Sequence, residues 1–541
     1  MAVLASAVDP RTPDYLRSRD AMLDRLAEVA RAVDAALAGG GEREVTRHHA
    51  RGKLLPRERV ELLVDRDSPL LELSAVAAWG TQFPTGAGVV TAIGVVEGVE
   101  CVLVANDATV RAGAANPYTL AKIRRAVAIA LANRLPLILL LECPGPDAAA
   151  AASDVWLPGG EALRDLARLS AAGIPTVAVV LGTAAATAAQ LAALSGYTVM
   201  VRHRGRVFLS GPPPVEGVAG QPVDEETLGG AALHAGHTGL ADFVAEDERD
   251  GLRLARQCVR RCNWRKAGPA PRGAGHPPTY DAEDLLALGV GAGSRTPVDP
   301  REILARVLDG SDFDEFKPGY GPGLVTGWGE LYGYPLGVLA DAPGLLGSAE
   351  LQKAAQFVQL ANAARTPLLF LQHTGGYRPG AEAERHGLVK HSALLLHAVA
   401  NSGVPHLTVV VGTARGAAGA ALGGRAQESR FVFSWPGAQP ADTDPDDPAA
   451  AHPSAEPAAH PATDPAAHPV PGPAAHPVPG PAADPAASAA RTRCATLRIS
   501  GQLHDDGVID PRDTRTVLGV CLSAVHSGPV SGAENFGVFR M

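Results

Sequence analysis

The residues best placed to do chemistry in this 541-residue chain carry almost no functional groups. Two apolar runs end in glycine and pass through small residues toward a helical pattern: Gly182 to Ala189, after Thr176 to Leu181, and Gly412 to Gly419, after Leu407 to Val411. A helix that follows a strand has first N–H groups without intrahelical partners, and small side chains let a ligand oxygen reach them. Such a turn can form an oxyanion hole from backbone alone. Tight strand-to-helix packing selects the same residues, so composition leaves both readings open. Familiar side-chain devices are missing: there is no G-x-S-x-G elbow, no H-E-x-x-H and no Walker loop. Asp107, Asp341 and Asp505 stand isolated and are expected to cap helices or turns. Cys258 and Cys262 lie one helical turn apart, but no second Cys/His pair follows at ligand spacing, so no metal is expected in this chain.

Both turns belong to a longer repetition. Gly88-Val89-Val90-Thr91 is followed by Gly98 and Ala105-Asn106-Asp107, and Gly323-Leu324-Val325-Thr326 by Gly333 and Ala340-Asp341 at the same offsets. Arg134-Leu135-Pro136 before an apolar run is answered by Arg365-Thr366-Pro367, and Gly173-Ile174-Pro175 by Gly403-Val404-Pro405. Landmarks in one order at nearly fixed spacing identify two copies of one domain. In each copy apolar strands without polar alternation are separated by helical patterns, which predicts strands covered on both faces by helices, an α/β class. The expected divisions are a helical extension over 1–60, a first domain over 61–266, a linker over 267–295 and a second domain over 296–541. Within the last, residues 440–490 are Ala, Pro, His and Asp at a period of eight (His452, His460, His468, His476), read as a spacer that folding does not need.

Composition narrows the function classes. With 48 Lys+Arg against 57 Asp+Glu the net charge is −9, which disfavours a nucleic-acid surface. The longest apolar stretch, Ala126 to Leu141, is interrupted by Asn133, Arg134 and Pro136, so no membrane span is expected. Six scattered cysteines do not form a disulfide framework, and no cationic segment precedes an apolar core near the start, so a cytoplasmic location is expected.

A set of motifs then carries a family resemblance. Arg51-Gly52-Lys53-Leu54-Leu55-Pro56-Arg57-Glu58-Arg59, Phe208-Leu209-Ser210-Gly211-Pro212-Pro213, Leu228-Gly229-Gly230, His234, Ser311-Asp312-Phe313-Asp314-Glu315-Phe316, Asp505-Asp506-Gly507-Val508-Ile509-Asp510-Pro511 and Phe536-Gly537-Val538-Phe539-Arg540-Met541 resemble the carboxyltransferase (β) subunits of biotin-dependent acyl-CoA carboxylases, closest to the methylcrotonyl-CoA type. The resemblance implies two tandem crotonase-like domains and transfer of a carboxyl group from carboxybiotin, held on a separate carrier protein, to an acyl-CoA. It also implies a biotin carboxylase and biotin carrier subunit as partners, and a homo-oligomer (a hexamer) or a hetero-oligomer with a paralogue, with active sites between the first domain of one subunit and the second domain of another. Nucleic acid and membrane are not among the implied partners. Carried over residue by residue, the resemblance makes Gly416 and Ala417 the biotin-side oxyanion hole and Thr187 and Ala188 the acyl-side one. It makes Gly145, Gly182, Gly375, Gly376 and Lys390 substrate-binding.

The departures cluster at the same places. The family has Gly-Gly where this chain has Thr187-Ala188, and Ser-Gly-Gly-Ala where it has Cys143-Pro144-Gly145-Pro146 after Glu142. His373-Thr374-Gly375-Gly376-Tyr377 replaces Asn-Ile-Thr-Gly-Phe, and the Pro-rich repeat replaces the Met-Gly-Gly-Glu-Gln segment after Trp435-Pro436. Three readings compete: a working carboxyltransferase, a non-catalytic subunit that assembles with an active paralogue, and a biotin-independent crotonase-type lyase or decarboxylase.

Overall fold

The structure, a computed structural model, describes residues 2–211, 217, 220, 222–289, 298–342, 344–414, 416–440 and 495–537. Apart from its first residue the Pro-rich repeat lies outside these, as do Cys494 and the last four residues. The chain begins with β1 (Ala2–Val3). The first domain follows with β2 (Leu70–Leu73), β3 (Val89–Val96), β4 (Val99–Asn106), β5 (Leu137–Cys143), β6 (Thr176–Ala185), β7 (Tyr197–Val201), β8 (Arg206–Phe208) and β9 (Phe243–Ala245). The second contains β10 (Asp312–Glu315), β11 (Leu324–Leu331), β12 (Tyr334–Asp341), β13 (Gly344–Leu346), β14 (Leu368–Tyr377), β15 (His406–Ala414), β16 (Phe431–Ser434) and β17 (Gln439–Pro440).

The two sheets repeat one topology. The first runs β2-β3-β4-β5-β6-β7-β9 with β8 beside β6; the second runs β1-β10-β11-β12-β14-β15-β16 with β17 beside β15. In each, the first strand pairs are antiparallel and the later ones parallel, as crossovers through helices require. Leu137 pairs with Thr176 as Leu368 pairs with His406, and Val177 with Tyr197 as Leu407 with Phe431. The expected equivalence of Val177 to Leu181 and Leu407 to Val411 holds, and the fold is α/β with tandem crotonase-like domains.

Local sequence explains the helices that matter. The helix Pro117–Asn133 starts where Asn116 accepts N–H bonds from Tyr118 (2.9 Å) and Thr119 (3.1 Å), with Pro117 in the first turn; it stops at Arg134, left-handed at φ 53°, just before Pro136. The helix Pro13–Leu37 ends ahead of Gly39-Gly40-Gly41, and its Met22 packs on the second domain beside Gly289 and Trp435. Alternate residues of β4, β5 and β6 face opposite ways. Val102, Leu139 and Val180 enter an apolar cluster that continues into the second domain through Leu304, Val338 and Leu407, while Leu103, Ile138 and Val179 pack against Leu252 and Val259 of the helix Glu248–Arg261. The segment read as a linker is pinned: the Ala267 and Gly268 amides donate to the carbonyls of Ser527 and His526 (both 3.0 Å). No helix among the described residues is long and apolar enough to cross a membrane.

Candidate active site

Each small-residue turn opens on a cavity of its own. In the first domain β6 runs into the helix Thr187–Leu194 through Ala186, whose backbone sits at φ 51°, ψ −119°. In the second, β15 runs into the helix Gly416–Ala421, and Gly416 has φ 56°. The strand registers above align Ala186 with Gly416 and Thr187 with Ala417. The pair opposite Gly416-Ala417 is thus Ala186-Thr187, one residue earlier than the pair taken from the resemblance, and the positive φ falls on Ala186 rather than on Thr187 or Ala188. A β-carbon disfavours this conformation, so Ala186 holds strain that glycine avoids.

The first cavity, about 450 Å³, is floored by Leu120 and Ile123 of the helix Pro117–Asn133, by Leu141 and Cys143 of β5, and by Leu191. Ala186, Thr187, Ala188 and Gly145 (φ 131°) line it, and Trp156, 78% exposed, stands at its wall. Burial pushes the Cys143 thiol up, so it is a neutral wall atom rather than a nucleophile. The second cavity, about 510 Å³, is more polar than the first: Gln372, Arg425, Gln502, His504 and Asp505 line it together with the bare backbone of Gly416, Gly419, Gly423 and Gly424, beside apolar Val410, Val432 and Ile499. Ala417 is exposed beside it, and the Tyr377 hydroxyl donates to the Ala417 carbonyl at 3.4 Å. Lys390 is exposed in the first turn of the helix Leu388–Ala400 and lines neither cavity. Gly375 and Gly376 (φ 115°) end β14, where Gly376 N–H donates to Thr374 Oγ1 at 3.2 Å.

Gly182 and Gly412 do have a packing role, against a side chain of the neighbouring strand rather than against the helix that follows. A β-carbon on Gly182 would lie 2.7 Å from Glu142 Oε1, and one on Gly412 would overlap the His373 ring. Glu142 and His373 are equivalent residues of β5 and β14, each crossing over its glycine. Their backbone amides donate to equivalent acceptors too, Glu142 N–H to Asn106 Oδ1 (3.2 Å) and His373 N–H to Asp341 Oδ2 (3.2 Å). Their side chains diverge. Glu142 accepts from Lys53 and from Arg59 Nη2 (2.7 Å), and Arg59, 0% exposed, also binds Glu248 at 2.9 Å. Burial pushes the Glu142 carboxyl up, but Arg59 and Lys53 outweigh it and hold it below the ordinary range. His373 Nδ1 accepts the Thr413 amide at 3.0 Å, and burial lowers its pKa, so the ring is neutral with its proton on Nε2.

Three carboxylates expected to be isolated caps divide differently. Asp107 does cap a turn, accepting from Thr109 N–H at 2.9 Å. Asp341 is buried, Oδ1 has no partner among the described residues, and burial raises its carboxyl to about 7. Asp505 caps a turn as well, accepting from Gly507 N–H at 3.1 Å, but it is buried and also accepts from Ser434 Oγ (2.7 Å), with burial raising it to about 6. Asp506, which the sequence named only within a motif and gave no role, accepts from Arg125 (2.7 and 2.8 Å), Arg425 (3.0 Å) and the Val432 amide (2.9 Å); burial pushes it up, but the two arginines keep it well below the usual carboxylate range. Two further residues were missed: buried Lys122 and Lys353, in equivalent helices, each donate to the carbonyl that begins an equivalent strand (Val89 and Leu324, both 2.7 Å). Their sequence signal was the matched Leu120-Ala121-Lys122 and Leu351-Gln352-Lys353. Among the described residues no group of three or more His, Cys, Asp or Glu side chains could hold a metal ion.

Known proteins match this chain along nearly its whole length. The family described as "Carboxyl transferase domain" matches residues 47–539. A Mycobacterium tuberculosis protein named as a probable biotin-dependent acyl-coenzyme A carboxylase beta2 subunit is 49% identical over 539 residues and all of both chains. A second from that organism, a biotin-dependent 3-methylcrotonyl-coenzyme A carboxylase beta1 subunit, is 38% identical over 95% of this chain and 96% of its own. The solved β subunit of Pseudomonas aeruginosa geranyl-CoA carboxylase superposes with a TM-score of 0.82 at 33% identity, covering 99% of each chain. With two crotonase-like domains, a cavity at each repeated turn and a family match over both, this chain belongs to the carboxyl transferase domain family.

Proposed function

We propose that the chain is the carboxyltransferase subunit that moves a carboxyl group from carboxybiotin, carried on a separate protein, to a short or branched acyl-CoA of the methylcrotonyl-CoA kind. The observation that supports this most is the repeated backbone turn, once beside an apolar cavity and once beside one with a charged and polar side. A two-substrate transfer needs unlike walls around like backbone.

The second cavity, part polar and part apolar, suits the bent bicycle of biotin, with its planar polar ureido ring and apolar sulfur ring. A β-carbon on Gly419 would come within 2.7 Å of the Ala414 carbonyl, so the wall there is close-packed backbone over which a ring can lie. When bound, carboxybiotin supplies the activated carboxyl group. On this reading the backbone amides of Gly416 and Ala417 stabilise negative charge on a neighbouring oxygen, and Gln372, which donates to the carbonyls of Gly419 (3.1 Å) and Leu422 (2.7 Å), keeps that turn in shape. In the first cavity Leu120, Ile123, Leu141 and Leu191 hold the acyl chain and exclude water. By the strand register the amides of Ala186 and Thr187, rather than the Thr187-Ala188 pair taken from the resemblance, face the thioester oxygen, and Gly145 leaves room for its approach. Gly182 allows Glu142 to brace β6, while Gly375, Gly376 and Lys390 belong to the approach on the second-domain side. We place the enzyme in the cytoplasm, in an oligomer that works with a biotin carboxylase and a biotin carrier subunit.

The test mixes the purified chain with such a carboxylase and carrier, labelled bicarbonate and ATP, and follows label into a panel of acyl-CoAs. Incorporation into a short or branched acyl-CoA is expected. Its absence from the whole panel, together with stable assembly onto an active paralogue, would replace this reading with a non-catalytic subunit. Biotin-independent loss of carboxylate from an acyl-CoA would replace it with a lyase.

A further inference from the structure

We infer that Asp506 is a positioning residue, holding Arg425 at the wall of the second cavity and tying it, through Arg125, to the helix that floors the first. The carboxylate is 0% exposed and accepts from both arginines and from the Val432 amide. Arg425 uses its terminal nitrogens on Asp506 (3.0 and 3.5 Å), so the carboxylate sets the direction of the guanidinium. Arg425 lines the second cavity. Arg125 leaves the helix Pro117–Asn133 two residues after Ile123, which lines the first cavity, and its Nη2 also donates to the Arg430 carbonyl at 2.8 Å. One buried anion therefore joins the floor of one cavity to a cation in the wall of the other.

The neighbouring Asp505 does not share this role. It bonds Ser434 and contacts neither arginine within hydrogen-bond distance among the described residues. Charge is what the second cavity needs: on the proposed function, on which this inference rests, the reactant entering there bears a carboxylate. A guanidinium fixed by a buried partner offers positive charge without reorganising when that reactant arrives. An arginine released from Asp506 would swing into solvent and lose that advantage.

The test is a double-mutant cycle in the full chain, run in the reverse direction with 3-methylglutaconyl-CoA and free biotin as probes. Asp506→Asn and Arg425→Gln should each lower kcat roughly a hundredfold, the scale of a misplaced active-site group, with KM for the acyl-CoA within about twofold. The double variant should be no slower than Arg425→Gln alone, because the first change acts only through the second residue. Independent, multiplying losses would overturn the inference, as would wild-type kcat in Asp506→Asn. Should Asp506→Asn not fold, Arg125→Met keeps the Asp506–Arg425 pair and should lower kcat about tenfold at unchanged KM; wild-type kcat there would remove the link between the cavities. If the wild-type chain transfers nothing with these probes, the proposed function fails separately. The crystal structure of Asp506→Asn then decides the positioning: a displaced Arg425 supports it, and an unmoved one overturns it.

Discussion

The two domains share a backbone device and differ in nearly every side chain around it. Ala186 answers Gly416, Asn106 answers Asp341, Glu142 answers His373, and Lys122 answers Lys353. Strand order, crossing residue and glycine spacer are kept in both. Yet in the first domain the crossing side chain is an anion clamped by two cations, and in the second it is a neutral imidazole above a lone carboxyl group. The cavities follow, one walled by Leu and Ile, the other by Arg, Gln and His. Duplication fixed the scaffold that places backbone N–H groups, and divergence changed the walls around it.

The largest test of this contrast removes the cation at the centre of the first domain's cluster. Arg59→Met leaves Glu142 and Glu248 buried without their main partner, and loss of one member of such a cluster costs about 3–5 kcal/mol. Denaturant unfolding at neutral pH should show a drop of that size. The same cluster should make the protein acid-sensitive. The Glu142 pKa is depressed on folding, so its contribution is fully present above the ordinary value of 4.5 and is lost as pH falls below it. In the second domain, His373→Asn keeps an acceptor for the Thr413 amide and should cost far less. Equal losses in the two domains would show that the clusters are not functionally distinct.

Next in size is a change at the turns themselves. Ala417→Val adds bulk beside the second-domain amides and should cost roughly a hundredfold in carboxyl transfer, the scale of losing one oxyanion donor. Thr187→Val, at the equivalent place, replaces a hydroxyl by a methyl inside an apolar wall and should leave transfer within about threefold. A hundredfold loss in Thr187→Val would mean that its hydroxyl, not its backbone, faces the substrate.

Much of this was legible in the sequence, for identifiable reasons. The duplication and strand order follow from glycines and prolines whose spacing is local and periodic. The turns at Gly182 and Gly412 were visible because each apolar run ends in glycine at matching places in the two copies and passes through small residues into a helical pattern. What sequence could not reveal was distance in space. Arg59 meets Glu142 across 83 residues and Arg125 meets Asp506 across 381, so no window of the chain contains either cluster. Asp341 looked like a cap, and Asp505 like no more than one, because a carboxylate's burial is invisible in composition. The one-residue offset between Thr187-Ala188 and Ala186-Thr187 arose because alanines at 184, 185, 186, 188 and 189 give no landmark, whereas the φ of Ala186 does.

A smaller effect tests the lone carboxyl group of the second domain. Asp341 is raised by burial from an ordinary 3.8 to about 7, with only the His373 amide lowering it. The folded state therefore favours the protonated form. No penalty exists below the ordinary value, and one builds as pH rises until it is complete above about 7. Asp341→Asn, the residue type that the first domain carries at Asn106, should thus raise stability on the order of 2 kcal/mol at pH 8 and change little at pH 4. Urea unfolding at the two pH values decides it. A gain that is equal at both would show that packing, not ionisation, separates the two side chains.

The smallest effect isolates the backbone. Ala186 adopts φ 51°, ψ −119°, and its counterpart Gly416 adopts φ 56° without a β-carbon. Replacing Ala186 by glycine removes strain of roughly 1–3 kcal/mol, while the added freedom of the unfolded chain takes back about 0.4–1 kcal/mol. The net gain should be about 1 kcal/mol, a rise of a few degrees at most in melting temperature. Carboxyl transfer should be equal or higher, since the turn keeps its amides and loses only a methyl group from the cavity wall. Gly416→Ala should do the reverse, with a similar loss of stability and slower transfer. If both substitutions destabilise, Ala186 is held by its methyl contacts rather than strained by them, and the turns are equivalent in path but not in energy.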